Sequence, residues 1–428
     1  MQKLLFEIHK TAGINHLGKL RFHNTRSNNT PTCWFGLSII ESEEFQLEVF
    51  KRARIEAFLS NAYDLNYTDK KGDRLNIVNK LQELKLSHKM DSGGFQLMKA
   101  KMNGNSSKFP LNPKIVLDKQ LEVGCDIGVQ LDFPFGPELT KNQKKKRLNE
   151  TFDNLIILID LVEEYGCEFH YLPVIHTISD DLDLLKYSIK RLEEIIGTTP
   201  NAVGIGSLVP LIKSMKGTKK NGVESFLYSL ITLRKILPNS FLHAFGVGGT
   251  MAYLAILAGI DSYDSNGWIQ KSAYGVIQLP GISDRFLRKE DHNRPYLIKD
   301  RKQRNCKGTI NEIDIFMKCN CDACLSFHKK NWKDSDWRKK QKAFVGRDYN
   351  SKLLRAVHNV SLYQKEIIRI REEIKNDNLL EFIKDRLKFS IYYKYIKFIE
   401  HLSDRSLGEL NDLSSLIELN IPNYMSRN

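Results

Sequence analysis

The sequence predicts an α/β fold with an eight-stranded β/α barrel at its core. Between about residue 41 and residue 288, short apolar runs typical of strands alternate with amphipathic stretches typical of helices. This alternation predicts parallel strands joined by right-handed crossovers, and it fits an open doubly wound sheet as well as a closed barrel. No glycine-rich dinucleotide motif follows the first strand, so we favour the closed, TIM-like barrel.

The predicted elements follow in chain order. Residues 1–40 form a strand-rich opening, with strands at 18–22 and 33–40. Barrel strands are predicted at 57–60, 127–131, 171–175, 202–205, 242–245 and 261–263, and the helices between them at 144–165, 181–196, 223–237 and 251–258. Past residue 288 we expect a basic irregular stretch, a long amphipathic helix at 353–374 and further helices to residue 428.

Composition favours a cytoplasmic protein that holds a phosphate backbone. The chain has 65 Lys and Arg against 51 Asp and Glu, a formal charge of +14, and such an excess is typical of nucleic-acid binding. No apolar run approaches the roughly 20 residues that span a bilayer, so we expect no membrane partner. The N-terminus lacks a signal-peptide pattern, because Glu7, His9 and Lys10 interrupt its apolar stretch.

One motif, Asp91-Ser92-Gly93-Gly94-Phe95-Gln96, combines groups that suit a flat, polar ring. It follows what we interpret as a short linker, Lys89 and Met90. The carboxylate of Asp91 can exchange a proton, the glycines let the backbone approach a ligand, and Phe95 offers a stacking face. An ordinary Gly-Gly turn after a strand explains this motif equally well.

Polar residues also follow the other predicted strands. They are Asp132, His176, the run Gly206-Ser207-Leu208, the pair Phe245-Gly246 and Asp264. Each alone is explained as a turn or cap residue. Barrel enzymes place their chemistry at the carboxyl ends of the strands, so the shared position of all five predicts an active site there.

Three of the seven cysteines lie within six residues, as Cys319, Cys321 and Cys324. This crowding favours a reduced protein with a metal site over a disulfide framework. Thiolates at this spacing predict a tetrahedral, structural Zn²⁺ site, whose fourth ligand is His358, His328 or Cys306. Of these, His358 opens the long predicted helix and is the ligand that we favour.

We therefore divide the chain into a barrel (1–288), a zinc-binding subdomain with its closing helix (289–375) and a C-terminal helical extension (376–428).

Together these motifs resemble the tRNA-guanine transglycosylase superfamily, whose fold is a β/α barrel with a zinc-binding subdomain. The resemblance is firmest at residues 91–96 and continues through 124–132, 204–211, 246–248, 259–265 and the cysteine cluster with His358. It implies that Asp264 is the nucleophile that attacks C1′ of the target nucleoside and expels guanine. It also implies that Asp91 is the general acid/base that takes the proton from the incoming base.

The resemblance implies a base-binding role for most of the remaining residues. Asp132 binds N1–H and the exocyclic amine of the purine, and Phe95 and Phe245 stack on its two faces. The backbone around Gly206, Ser207 and Leu208 binds the carbonyl edge, and Ser92 and Gly246 are also expected to bind the substrate. Where the superfamily usually carries a glutamine, this chain has Ile175 or His176.

Two departures bear on the substrate. Queuine-type tRNA enzymes carry an arginine-containing loop after the nucleophile, whereas this chain has Asn266-Gly267-Trp268-Ile269-Gln270-Lys271. Archaeosine-type enzymes carry large RNA-binding domains, for which the residues after 374 leave no room. The subgroup with an archaeal-like core and a short chain is the DNA-guanine transglycosylase of 7-deazaguanine DNA-modification systems.

We therefore predict exchange of guanine in DNA for 7-cyano-7-deazaguanine, with an accessory ATPase or helicase-like protein among the possible partners. The alternatives are base exchange in tRNA and a catalytically silent, nucleic-acid-binding subunit. Retention of both Asp91 and Asp264 argues against the silent subunit.

Basic residues in three regions are predicted to contact nucleic acid. They are Lys144, Lys145, Lys146 and Arg147 in the first region, Lys219 and Lys220 in the second, and Lys271, Arg285 and Arg288 in the third. An ordinary solvated surface explains the first region equally well.

Overall fold

The computed structural model describes residues 4–22, 26–67, 74–102, 111–135, 139–177, 182–214, 217–218, 221–287, 297 and 310–410. The predicted nucleic-acid contacts Lys219, Lys220 and Arg288 lie outside these residues, as does the candidate metal ligand Cys306. The most C-terminal part of the predicted helical extension, residues 411–428, is also outside them.

Strands and helices alternate through most of the described chain. In chain order the strands are β1 (Leu5–Ala12), β2 (Asn15–Arg21), β3 (Ser27–Thr30), β4 (Thr32–Gly36), β5 (Ala57–Asn61), β6 (Ser87–Asp91), β7 (Ile127–Val129), β8 (Tyr171–Leu172), β9 (Val174–His176), β10 (Ala202–Gly206), β11 (Lys213–Ser214), β12 (Gly217–Thr218), β13 (Phe241–Ala244), β14 (Ser262–Ser265), β15 (Val276–Leu279) and β16 (Ile282–Phe286).

The helices lie between and after these strands. They are α1 (Glu43–Ala53), α2 (Ala62–Tyr67), α3 (Arg74–Glu83), α4 (Gly94–Met102), α5 (Pro113–Val123), α6 (Lys141–Glu164), α7 (Leu182–Ile196), α8 (Leu208–Ile212), α9 (Gly222–Ile236), α10 (Met251–Leu257), α11 (Gly267–Ala273), α12 (Ile310–Met317), α13 (Asp334–Val345), α14 (Tyr349–Lys375), α15 (Leu379–Leu387) and α16 (Tyr395–Ser403), with 3-10 turns at Asp322–Phe327 and Leu407–Leu410. Among the described helices, none combines the length and apolar character needed to cross a membrane.

The central sheet is a closed parallel barrel, which confirms the predicted fold. Its strand order is β8-β7-β6-β5-β4-β14-β13-β10-β9. The two end strands, β8 and β9, flank Pro173 and together form one broken strand that pairs with β7 on one side and β10 on the other. Because proline has no backbone N–H, the ladder is interrupted at this point. The nine short strands therefore form a ring of eight.

Alternation along the strands separates two cores. Side chains that point into the barrel form a small lumen cluster that includes Trp34, Leu59, Val129, Leu172 and Phe241. The opening three-stranded antiparallel sheet, β1-β2-β3, and the residues that flank its strands contribute Leu4, Leu20 and Phe22 to the same cluster. Side chains that point outward pack under the helices in a much larger core. Apolar side chains thus fill much of the lumen below the carboxyl ends of the strands.

Two predicted boundaries are wrong. Lys89 and Met90 are not a linker but the middle of β6, which pairs in parallel with both β5 and β7. The strand is hard to identify because His88 and Lys89 interrupt its apolar pattern, although both side chains are buried. The strand predicted at 33–40 ends at Gly36, since Ser38 turns the chain by bonding to Gln46 of α1 and to the next backbone N–H groups.

Candidate active site

A cavity of about 670 Å³ opens at the carboxyl ends of the barrel strands. Its lining includes ten of the predicted site residues: Asp91, Ser92, Phe95, Asp132, Gly206, Ser207, Leu208, Phe245, Gly246 and Asp264. The loops that follow β4, β6, β7, β10 and β13 all contribute. The structure thus brings together residues that lie up to 173 positions apart in the sequence.

Asp264 lies in β14 with its side chain almost fully buried and held at both oxygens. The N–H of Gly246 donates to Oδ1 at 2.8 Å, and Lys89 Nζ lies 3.0 Å from Oδ2. His243 Nε2 is also 3.0 Å from Oδ2. Burial opposes ionisation, but the Lys89 charge and the Gly246 N–H outweigh it and hold the pKa of Asp264 below its ordinary value. Asp264 is therefore a carboxylate at neutral pH.

Asp91 ends β6 and faces the same lysine. Its Oδ1 is 3.4 Å from Lys89 Nζ without hydrogen-bond geometry. Burial raises the pKa of Asp91 to about 6, against the opposing effect of the Lys89 charge and with help from the Asp264 carboxylate. Two aspartates beside one lysine therefore differ in protonation behaviour, which is the condition for one to act as a nucleophile and the other as an acid or base.

Asp132 follows β7 and belongs to a second group of polar side chains. Ser92 Oγ donates to Asp132 Oδ1 at 3.3 Å. His176 Nε2 lies 3.6 Å from Asp132 Oδ2, and its Nδ1 is 3.0 Å from Ser207 Oγ. Burial, together with the Asp91 charge, raises the pKa of Asp132 to about 7. Burial lowers the pKa of His176 to about 3, so this ring is neutral.

The structure separates the two candidates for the superfamily's glutamine position. Ile175 points outward into the helix-covered core, whereas His176 points inward beside Asp132. Close approach of this ring requires glycine on the neighbouring strand, because a Cβ on Gly206 would lie 2.5 Å from His176 Nδ1. Gly94 is constrained in the same way, since its Cβ would lie 2.2 Å from the backbone oxygen of Asp132.

Sequence reasoning missed two residues of this site, Lys89 and His243. Both are buried and within hydrogen-bonding distance of Asp264. A signal for them exists in the period of two along a strand. Lys89 lies two residues before Asp91, and His243 lies two residues before Phe245, so both point into the lumen.

The cysteine cluster and His358 come together away from the cavity. The ligand atoms of Cys319, Cys321, Cys324 and His358 lie within 4.8 Å of one another. The three Sγ atoms are 3.6, 3.6 and 3.4 Å from His358 Nδ1. Tetrahedral Zn²⁺ with ordinary Zn–S and Zn–N bonds places sulfur and nitrogen about 3.6 Å apart, so the donor set fits. His358 Nε2 also faces the Gln278 carbonyl at 2.9 Å, which orients the ring.

The predicted nucleic-acid contacts differ in their surroundings. Lys145 and Lys146 are exposed at the start of α6, while Lys144 and Arg147 are partly buried and Arg147 bonds to the Pro134 carbonyl. Helices of a barrel begin on the side where its strands end, so this lysine group lies on the side of the cavity mouth. By contrast, Lys271 pairs with Asp284, and the buried Arg285 pairs with Glu312.

Comparison with known proteins gives a consistent family. The family model described as TGT, queuine tRNA-ribosyltransferase, matches residues 13–390. The chain is similar to the tRNA-guanine(15) transglycosylase of Pyrococcus furiosus, with 24% identity over 408 residues that cover 93% of this chain and 59% of the relative. It is also similar to the Methanocaldococcus jannaschii protein of the same name, with 27% identity over 320 residues that cover 72% of this chain and 41% of the relative. The chain thus spans less than two thirds of the length of either relative.

Proposed function

Because the chain belongs to the queuine tRNA-ribosyltransferase family, we propose that it exchanges guanine in a nucleic acid for a 7-deazaguanine base through a covalent aspartyl-glycosyl intermediate. The observation that carries this proposal is the pair of aspartates at one cavity, Asp264 held as a carboxylate and Asp91 with a raised pKa. Retention of both groups favours an active enzyme over a silent binding subunit.

In the first half of the reaction, an Asp264 oxygen forms a bond to C1′ of the target nucleotide as the bond from C1′ to N9 breaks. The electron pair leaves with guanine, and the protonated form of Asp91 supplies its proton. In the second half, the Asp91 carboxylate removes the N9 proton of the incoming base. N9 then attacks C1′, and the ester breaks to regenerate the Asp264 carboxylate. The transition states resemble an oxocarbenium ion, which a carboxylate stabilises.

The polar groups of the second cluster suit the edge of a guanine-like base. Asp132 accepts from N1–H and the exocyclic amine, and the backbone after β10 binds the carbonyl edge. His176 Nε2 has no hydrogen-bond partner among the described residues and is aimed at Asp132, so it supports the base-binding carboxylate. Phe95 is half exposed at the cavity lining and Phe245 lies deeper, so stacking on the two faces of the base remains part of this proposal.

For the cysteine cluster we propose a structural Zn²⁺ ion held by Cys319, Cys321, Cys324 and His358. Four protein ligands leave no open position for substrate, so the ion contributes folding energy and no reaction step. The site connects the 3-10 turn at Asp322–Phe327 to α14, which packs on the barrel helices α1 and α11.

We propose DNA as the target, with 7-cyano-7-deazaguanine as the incoming base, and tRNA as the second candidate. The segment after Asp264 supports DNA, because α11 buries Trp268 against the Gly36 carbonyl and its Lys271 is paired. Such a helix presents no arginine to an anticodon. The names of the relatives favour tRNA. In either polymer the base has to leave its stack to reach the cavity, and on duplex DNA an ATPase or helicase-like partner would assist this step.

The test is a guanine-exchange assay on duplex DNA and on tRNA, run side by side with labelled guanine and with 7-cyano-7-deazaguanine. We expect exchange on DNA, and a protein–DNA adduct that survives denaturation when the incoming base is withheld. Asp264→Asn should abolish both signals without loss of fold. Exchange confined to tRNA would overturn the DNA target, and full activity of Asp264→Asn would overturn the mechanism.

A further inference from the structure

We propose that Lys89 is a positioning residue of the base-exchange reaction, whose ammonium group fixes the Asp264 carboxylate for attack and is itself held by His243, which in turn contacts Ser262. This inference rests on the proposed function, and it assigns a role to buried groups that the reaction steps above do not use. Lys89 is 1% exposed in the middle of β6, pointing into the lumen.

Lys89 Nζ is surrounded by groups that stabilise an ammonium ion. Its Nζ lies 3.0 Å from Asp264 Oδ2, 2.5 Å from His243 Nε2 and 3.4 Å from Asp91 Oδ1. It also lies 4.6 Å from the centre of the Phe245 ring. Both aspartates assigned to the reaction are thus reached by one cation, which bridges the two strands that carry them.

Hydrogen-bond chemistry fixes the direction of this network. An ammonium group only donates, so His243 Nε2 must accept from Lys89 and the ring proton must sit on Nδ1. From there it is directed at Ser262 Oγ, 2.7 Å away. Burial, reinforced by Lys89, lowers the pKa of His243 to about 4, which agrees with a neutral ring. His243 Nε2 therefore does not donate to Asp264, and Lys89 is the donor to Oδ2.

This arrangement leaves Asp264 with one defined orientation. Lys89 holds Oδ2 and the Gly246 N–H holds Oδ1, from β6 on one side and the turn after β13 on the other. Each oxygen retains a lone pair, so the carboxylate can still attack C1′. A carboxylate held in advance does not have to reorganise during the reaction, and this saving is the main source of electrostatic catalysis.

The charge of the cavity shows why a cation is needed below it. The described lining includes six acidic side chains, Glu41, Glu43, Asp64, Asp91, Asp132 and Asp264, and neither lysine nor arginine. Glu41 and Glu43 are paired with Lys352 and Lys80 outside the lining, so the buried aspartates are the groups that need a cation. Two neighbouring buried carboxylates without a counter-charge share a proton. A proton shared with Asp91 would remove the nucleophile, because a neutral carboxyl group does not attack. Lys89 keeps the proton on the Asp91 side.

Several titratable groups face this cluster, and each enters the pH dependence. On β6 and the elements beside it they are Asp91, Asp132 and Asp64, and on β13, β14 and β4 they are His243, Asp264 and Cys33. Burial raises the pKa of the Cys33 thiol, so this group is neutral throughout the working range. Among the groups whose pKa is shifted, those that titrate near neutrality are thus Asp91 and Asp132. Replacing Lys89 should change the pKa of Asp91.

The experiment compares the wild type, Lys89→Met, Lys89→Arg and a control, Lys235→Met. Lys235 is a partly buried lysine that donates to backbone carbonyls of the C-terminal segment, so the control removes a structural lysine. The readouts are the single-turnover rate of adduct formation from pH 5 to 9, the affinity for the nucleic acid, and the unfolding temperature.

For Lys89→Met we expect adduct formation to slow by roughly 100-fold at pH 7, the loss typical of one preorganised donor. Nucleic-acid affinity should stay within about twofold, because affinity depends on phosphate contacts outside the lumen. An acid limb should appear between pH 5 and 9, where the wild type has none from Asp264 because the pKa of Asp264 is held below its ordinary value; without Lys89 this carboxyl group ionises with more difficulty. Lys89→Arg should remove that limb again, and Lys235→Met should keep the wild-type rate and pH profile.

Three outcomes decide the matter. A wild-type rate and a wild-type pH profile in Lys89→Met would overturn the role of Lys89 while leaving the proposed function intact. A wild type that exchanges no guanine in either polymer would overturn the proposed function itself. If Lys89→Met fails to fold, Lys89→Ala is assayed with added ethylammonium, and rescue that saturates with amine concentration supports the role, whereas its absence in folded protein contradicts it.

Discussion

At the scale of single residues, the site depends on how one lysine, Lys89, gives two similar carboxyl groups different pKa values. Asp264 receives two hydrogen bonds that stabilise its charge, whereas Asp91 has a buried Oδ1 without such a bond. Their pKa values therefore move in opposite directions from the ordinary value near 4. Local hydrogen bonding, and not residue type, separates the nucleophile from the acid/base.

The first prediction concerns the pH dependence of the second half-reaction. Asp91 has to be ionised to accept the N9 proton, so release of the adduct by 7-cyano-7-deazaguanine should slow as the pH falls below about 6. Asp64→Asn should shift this limb to lower pH, because it removes a negative charge that raises the pKa of Asp91. Asp91→Asn should release the adduct slowly, and its rate should no longer fall below about pH 6. An unchanged limb in Asp91→Asn would assign the base to another residue.

The second prediction concerns stability. The folded-state pKa of Asp132 is about 7 and lies above its unfolded value, so the folded state binds more protons and the contribution of Asp132 falls as the pH rises from about 4 to 7. Asp132→Asn should therefore raise the free energy of unfolding by about 1–3 kcal/mol at pH 8 and leave it unchanged at pH 4. Urea unfolding at the two pH values measures this difference. A destabilised variant at pH 8 would show that the charge is already compensated.

At the scale of elements, the sequence predicts the strands that are apolar and misses those that carry chemistry. Strands β5, β10 and β13 are predicted nearly to the residue because burial on both faces gives continuous apolar runs. Strand β6 is missed because the hydrogen bond that its lumen-facing Lys89 makes to a carboxylate goes to Asp264, 175 residues away in sequence. This pairing cannot be inferred from the local sequence pattern, because only the closed barrel brings β6 and β14 close together.

The third prediction concerns the element that joins the cysteine turn to α14. Cys324→Ser should lose the bound metal and several kcal/mol of local stability, since structural zinc contributes about 10 kcal/mol or more of apparent binding energy. His328→Ala should keep one metal per chain, because His328 lies outside the cluster. Cys167→Ser removes a partly buried thiol elsewhere and serves as the control. Full metal content in Cys324→Ser, measured by elemental analysis, would contradict this donor set.

At the scale of the whole molecule, positive charge is spread unevenly. The cavity lining is acidic although the chain carries a formal charge of +14. The basic residues therefore act elsewhere, and the described ones differ in availability, since Lys271 and Arg285 are already paired. The sequence does not show these ion pairs, because their partners lie elsewhere in the chain. The predicted boundaries at 288 and 375 remain a proposal, as α14 packs on the barrel helix α1 and on the cysteine turn alike.

The fourth prediction concerns the lysines at the start of α6. Replacing Lys144, Lys145 and Lys146 with glutamine should weaken binding to duplex DNA without sequence preference, since interactions with phosphate carry no base information. The slope of log affinity against log salt should fall by roughly 0.9 for each phosphate that the protein no longer neutralises. Single-turnover chemistry on saturating DNA should be unchanged, because these side chains lie outside the cavity lining. The control replaces Lys388, Lys394 and Lys397, exposed lysines of α16 and of the turn that precedes it, with the same reduction in charge.

The two triple variants have equal net charge, so a difference between them reports position and not total charge. If the protein attracts DNA only through its total charge, both triple variants should lose affinity and salt slope to the same extent. Local binding of phosphate at the cavity mouth would lower them only in the α6 variant, and more on duplex DNA than on a short single strand, whose fewer phosphates extend less far from the flipped base. An equal decrease in both variants would show that the α6 lysines are an ordinary solvated face, and the path of the nucleic acid would then have to be sought on another side of the mouth.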